Sequence, residues 1–246
     1  MAETLSQSTR GKVRLEDAGF DWKILGPDSP SHEEFEYVAW QSDQDAYSAS
    51  GQKCSAQSIL FAHETWSNRG IFDRLAGLAA NRKLADLTIS PVLSHTTEQI
   101  LQHTDRLLSI PGACLAFGGK ELKGHTVPPC YGAVEPTAVF VPLKELLKPE
   151  HFQTCCREIF APFQIFTEYH DGTEAKVLEA CERMSHHLSA AVVSNDPHFQ
   201  NRVLGATVNG TTYTGMRART TGAPQNHWFG PAVSGVGRRH HLLESR

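Results

Sequence analysis

The six cysteines of this 246-residue chain, at positions 54, 114, 130, 155, 156 and 181, include no pair in C-x-x-C spacing. That absence removes the usual zinc knuckle, and the adjacent pair at 155 and 156 does not suit a disulfide framework. The thiols are read as reduced, which points to an intracellular or organelle-matrix setting. No apolar run approaches the roughly 20 residues that span a bilayer, so no membrane partner is expected. Positive charge is not in excess either: 23 Lys and Arg stand against 27 Asp and Glu, a net charge of -4. A general nucleic-acid binder would carry a basic face, and nucleic acid is excluded as a partner on that ground. "GGKELKG" has lysines near glycines but not phosphate-loop spacing. The histidine pairs His186-His187 and His240-His241 are adjacent in the chain, so in regular structure they point apart, and no metal site is expected. The opening "MAETLSQSTRGKV" has no apolar stretch of signal type and is poor in arginine, so it carries no targeting signal of its own.

What remains is ordinary in bulk, 40% hydrophobic and 20% charged, and long enough for one large or two small α/β domains. Short strands are read at 12–15 and 22–25. "GPDSPSHEEFE" reads as an exposed excursion, "YVAWQ" as strand, and "DQDAYSASG" as a short, closely packed helix. Beyond these, "SILFAH", "ACLAFGG", "TAVFVPL", "FQIFTEY" and "SAAVVSND" read as strands. They alternate with helical periodicity over 68–83, 96–108 and 174–187, and Pro197 opens a further short helix. This alternation predicts a mostly parallel sheet with helices on its faces. Trp22, Trp40, Trp66 and Trp228 are read as packing residues. "AVSGVGRRHHLLESR" has no periodicity and reads as a tail.

A cysteine reacts as thiolate, and a useful one needs access and a neighbouring base or donors. Cys54, in "SGQKCSAQSILF", stands where a polar, glycine-led segment turns into strand. Taken alone it is more often structural. Its wording is more specific: "GQKCSA" resembles the nucleophile segment of the aldehyde dehydrogenase superfamily. "GKVRLEDAG" resembles the segment that supplies the general base, "EIFAPF" the motif that holds the nicotinamide ribose, and "VNGTTYTGMRARTTGAPQNHWFGP" the substrate-anchor region. The fuller wording looks like the plant-type pyrroline-5-carboxylate, or glutamate-semialdehyde, dehydrogenases, over roughly residues 2 to 232.

The resemblance implies an α/β aldehyde dehydrogenase catalytic domain, a mostly parallel sheet with flanking helices, beside an incomplete Rossmann-type cofactor domain. It implies Cys54 as nucleophile and Glu16 as general base. Glu158 and Phe160 would bind the NAD cofactor, and Ser55 with the backbone of Gly222 and Ala223 would hold the carboxylate of a small-molecule aldehyde substrate. The sequence departs at Ala161, where the motif has glycine; the added Cβ removes easy access to positive φ. The expected division is 1–50 as the remnant of the NAD-binding domain and lead-in to the nucleophile, 51–232 as catalytic domain and 233–246 as divergent tail. The family is homo-oligomeric, but its closing strand is expected to be replaced here, and its relatives work in the mitochondrial matrix. With most of the cofactor domain missing from the match, the chain alone is expected to have little or no activity. The alternative is a non-catalytic product that pairs with full-length subunits. A thioesterase using Cys54 and Glu16 without NAD is a more distant possibility.

Overall fold

The computed structural model describes residues 2–12, 19–185 and 187–221. Residues 13–18, His186 and 222–246 lie outside them, and with them Glu16, Gly222, Ala223, Trp228, His240, His241, the tail and most of the strand expected at 12–15. A short helix, α1 (Ala2–Ser8), precedes the sheet.

Strands β1 (Asp21–Leu25), β2 (Gln57–His63), β5 (Phe163–Tyr169) and β6 (Ser189–Val193) are buried almost throughout. Continuous burial of this kind suits parallel strands covered on both faces. With β3 (Cys114–Phe117), β4 (Thr137–Phe140) and β7 (Thr211–Thr214) they form, among the described residues, one seven-stranded sheet in the order β3-β4-β5-β2-β1-β6-β7. All neighbours are parallel except β3 and β4. This is the mostly parallel α/β sheet expected. The strand from the first fifty residues lies near its centre, between β2 and β6.

Side chains alternate across the sheet. Trp22, Ile24, Ile59 and Phe61 face one core, covered by α5 (Thr97–Leu108), α6 (Leu143–Leu146), α7 (Pro149–Cys155), α8 (Glu174–Arg183) and α9 (Pro197–Ala206). Leu25, Leu60 and Ala62 face the other, covered by α2 (His32–Tyr47), α3 (Glu64–Ser67) and α4 (Ile71–Ala79). Thr96 caps α5 in a reciprocal box with Gln99, which starts the helix at the expected place.

Three readings of the sequence need correction. "YVAWQ" is not strand: it lies inside α2, which begins within the supposed excursion at a Ser31–Glu34 capping box. The buried positions Phe35, Val38, Ala39, Ser42 and Ala46 recur at helical spacing, and that period outweighs the β propensity of a few aromatic and branched residues. Residues 143–155, given no structure from sequence, form α6 and α7. Trp40 is 48% exposed and does not pack in a core, unlike Trp22 and Trp66.

The face under α2 carries a buried charge. Lys23 on β1 is fully buried, with its Nζ 2.8 Å from Asp45 Oδ2 and 3.2 Å from Ser42 Oγ, both on α2. Burial pushes the lysine below its ordinary pKa, and Asp45 opposes that shift.

On the opposite face His103 of α5 is also buried, edge-on to Phe163, and neither ring nitrogen has a hydrogen-bond partner. Burial, with Arg106, Arg157 and His95 nearby, lowers its pKa to about 4. The folded state therefore holds it neutral where the unfolded chain binds a proton. Stability tied to His103 is full above pH 6.5 and falls as pH drops from 6.5 toward 4, by up to about 3 kcal/mol. His103→Leu should flatten that part of the pH dependence of urea unfolding; an unchanged slope would show that His103 is not responsible.

Candidate active site

Because the strands run parallel, the loops preceding β1, β2 and β5 gather at one edge of the sheet, the amino edge. Cys54 sits in the second of these. The chain leaves α2 through a 3-10 turn, Ser48–Gly51, in which Ala49, Ser50 and Gly51 all have left-handed φ, at 53°, 56° and 66°. Such a run is costly for non-glycine residues, and side chains hold it. Ser50 Oγ accepts the N–H of Ser90, and its oxygen is 3.0 Å from Ser90 Oγ. Gln52 donates from Nε2 to Pro91 O at 2.9 Å and accepts at Oε1 from the Leu93 N–H at 2.8 Å.

At Gly51 a Cβ would stand 2.1 Å from the carbonyl oxygen of Ala161. At Gly19 it would stand 2.3 Å from the carbonyl oxygen of Cys54. Both glycines are there because backbone must touch backbone. The Gly19 N–H donates to Glu158 Oε2 at 3.1 Å, and Ser94 Oγ donates to the carbonyl of Phe160 at 3.2 Å. The loop before β1, the loop that carries Cys54 and the "EIFAPF" loop are thus one assembly.

Cys54 is exposed, and Ser55 beside it is half-buried. Glu158 and Phe160 are half-buried and line, with Gly51, Lys53 and Ala161, a cleft of about 10 Å³, room for roughly one water. Of the residues expected at the site, Glu158 and Phe160 share this cleft, and Cys54, with Ser55 beside it, adjoins it through the Gly19 contact without lining it. Glu16 and the Gly222-Ala223 pair lie outside the described residues, but their chain neighbours Gly19 and Thr221 lie within them. The departure at Ala161 does not distort the loop: the left-handed angle falls one residue earlier, on Phe160 at 51°, and Ala161 takes an ordinary φ.

Several residues that matter here carry no signal of chemistry in the sequence. Gln52 and Ser50 act by stitching the loop. Lys53 donates to Ser48 Oγ, and its ammonium is pushed down from its ordinary pKa by burial, against the pull of Asp45 and Cys54. The lone lysine in "DWKIL" was the available hint that a buried partner stood opposite. At the far, carboxyl edge of the sheet, His63, Glu64 and Asp171 bring one potential ligand atom each within 4.8 Å of one another. There the His63 ring is already engaged, with Nε2 3.2 Å from Asp171 and Nδ1 3.1 Å from Thr65 Oγ1.

Comparison with known proteins bears on this assembly. The profile of the aldehyde dehydrogenase family matches residues 32–244. The chain belongs to that family.

Among curated members of the aldehyde dehydrogenase family, it is 61% identical over 233 residues to delta-1-pyrroline-5-carboxylate dehydrogenase 12A1, mitochondrial, of Arabidopsis thaliana. That match covers 94% of this chain and 41% of the relative. A probable aldehyde dehydrogenase of Linum usitatissimum is likewise 61% identical, over 94% of this chain and 42% of its own length. The chain thus spans about two fifths of the curated relatives it matches. Among solved structures, a 1-pyrroline-5-carboxylate dehydrogenase from Thermus with bound NAD superposes with a TM-score of 0.67 at 24% identity, covering 85% of this chain and 37% of that one. A proline utilization A protein of Bradyrhizobium japonicum superposes at 0.69 and 23% identity, covering 90% and 22%. At that identity the structures speak for the shared fold.

In this aldehyde dehydrogenase family chain the six thiols divide by exposure. Cys54, Cys114 and Cys130 are exposed, whereas Cys155 and Cys181 are buried and Cys156 partly so. Burial raises Cys155 to about 12 and drives Cys156 and Cys181 up as well. A thiol needs its thiolate to be alkylated. Iodoacetamide at pH 8 should therefore modify the first three in the native chain and the other three only after unfolding, as read by peptide mapping. Gly51→Ala should lower stability by on the order of 2–3 kcal/mol and change the alkylation rate of Cys54 relative to Cys130. Unchanged values of both would mean that the Gly51–Ala161 contact does not hold the loop.

Proposed function

We propose that the chain carries the nucleophile and cofactor contacts of an NAD-dependent glutamate γ-semialdehyde dehydrogenase, the enzyme that oxidises the open form of pyrroline-5-carboxylate to glutamate in proline breakdown. A mitochondrial setting follows from the same reading. The observation that carries it is the joining of Cys54 and Glu158 through Gly19, three residues after the expected base. The 61% identity to the Arabidopsis protein supports the choice of substrate, and the NAD-bound Thermus structure supports the cofactor.

The sulfur of Cys54 attacks the aldehyde carbon. A C–S bond forms, the carbonyl π pair moves onto oxygen, and the thiol proton passes to Glu16. NAD, when bound, supplies the acceptor for the hydride that leaves this carbon, so that a thioester remains on Cys54. Glu16, having released that proton to solvent, takes one from a water that adds to the thioester carbonyl; the C–S bond breaks with its electron pair on sulfur, and glutamate leaves. Forming the adduct covalently divides one difficult oxidation into easier steps. Glu158 suits a ribose: a carboxylate accepts several hydrogen bonds at once, so the Gly19 N–H and a sugar hydroxyl are compatible. Ser55 and the backbone of Gly222 and Ala223 receive the substrate's α-carboxylate, for which consecutive N–H groups are suited.

The chain alone is expected to turn over little or nothing, so the test is NADH formation from glutamate γ-semialdehyde by this chain fused behind the part of the Arabidopsis relative that its match does not cover, and by the Cys54→Ser variant of that fusion. Loss of at least about a thousandfold on removing the nucleophile is expected. Equal rates from the two proteins, or turnover of simple aldehydes with none of the semialdehyde, would sink the proposal.

A further inference from the structure

His103 is 1% exposed, and neither of its ring nitrogens has a hydrogen-bond partner among the described residues. A neutral imidazole carries one donor and one acceptor, so two polar groups stand unsatisfied where a hydrocarbon would pack without that cost. The charges that act on the ring are all of one sign: Arg106 on its own helix, and Arg157 and His95 on the segments packed against it. No carboxylate is among them, and α7, which packs against α5, brings only the buried Cys155 thiol to the neighbouring cleft. An imidazolium here has nothing to balance it. The ring also stands edge-on to Phe163, with centroids 5.2 Å apart. Phe163 lines the cleft together with Cys155, Glu158, Phe160 and Ala161. Its N–H donates to the Ala161 carbonyl at 2.7 Å, the same oxygen against which Gly51 is set.

We propose that His103 is an acid latch on residues 156–163: when its ring takes a proton it leaves Phe163, and this segment opens while the sheet stays folded. Glu158 and the Ala161 carbonyl move with the segment, so the hold on the Cys54 loop loosens in acid. The weak point is local. Between α7 and β5 the chain has no regular structure over 156–162, and Phe160 keeps a left-handed φ of 51°, a strained angle for a residue other than glycine. Stretches with few backbone hydrogen bonds open before the strands of a core do. The latch requires no assumption about which reaction the site performs.

Two buried thiols distinguish local from global opening: Cys155, at the end of α7 and on the cleft, and Cys181, on α8. The probe is a pyridyl disulfide, which reacts with thiols in acid as well as at neutral pH, applied to the full chain and read by peptide mapping. A ring that titrates near 6.5 when opened and at about 4 when closed makes opening rise about tenfold per pH unit between those values. Labelling of Cys155, corrected for a free peptide thiol at each pH, should therefore increase about fiftyfold from about pH 7.5 to about pH 4.5, with Cys181 still slow. In His103→Leu and His103→Gln the increase should stay below about fivefold; two variants are used so that one decides if the other does not fold. If Cys155 and Cys181 become reactive together, the whole chain opens and the latch is overturned. It is equally overturned if Cys155 labelling in the parent is flat with pH, or if the full increase persists in a folded variant.

Discussion

Two carbonyl oxygens define the site. The Ala161 oxygen lies where a side chain on residue 51 would begin, and the Cys54 oxygen lies where one on residue 19 would begin. Loops 110 and 35 positions apart in the chain are thereby held at backbone contact, with no side chain between them to flex. The geometry of Cys54 relative to Glu158 follows from these contacts and from the Gly19–Glu158 hydrogen bond. The left-handed stretch at 49–51 is the conformational cost of reaching Ala161, offset by Ser50 and Gln52 anchoring to 90–93.

The place of the site in the sheet is unusual for an open α/β architecture. Such sheets ordinarily bind ligands beyond the carboxyl ends of their strands. Here the assembled loops stand at the amino ends, and the carboxyl edge carries His63 and Asp171 bonded to each other. What makes the amino edge usable is the return of α2. Its carboxyl end delivers the turn that holds Cys54, and its buried face delivers Asp45 to the 220–221 segment. The Lys23–Asp45 pair therefore joins β1, α2 and residues 220–221 in a single polar contact inside an otherwise apolar layer. A buried pair of this kind contributes little net stability, because desolvation offsets its attraction. Its value here lies in direction.

Elements with one dominant period were legible without coordinates. β2 holds the apolar run Ile59–Ala62 and β5 is rich in aromatic and branched residues, each at strand length, and α5 shows both helical spacing and the Thr96–Gln99 capping box. Helix α2 was not legible, because its inward face carries Gln41, Ser42, Asp43 and Asp45. The apolar positions Phe35, Val38, Ala39 and Ala46 keep the helical period, but these polar ones interrupt it, and Lys23, Arg82 and residues 220–221 are the partners that make them buriable. Helices α6 and α7 were missed for a related reason: each is under two turns long and shows too little of a period to detect.

The wording around Cys54, Glu158 and Phe160 determined by itself the family and named the residue types expected at the site, since chemistry selects side chains and those are written in the sequence. It also set the alternating βα order, because apolar spacing is a local property. Tertiary structure alone decided that Gly19 and Gly51 are crossing points, that the left-handed angle falls on Phe160 and leaves Ala161 relaxed, and that Asp45 reaches Thr220. Each of these depends on distances between residues far apart in the chain, and no local pattern of residues encodes such a distance.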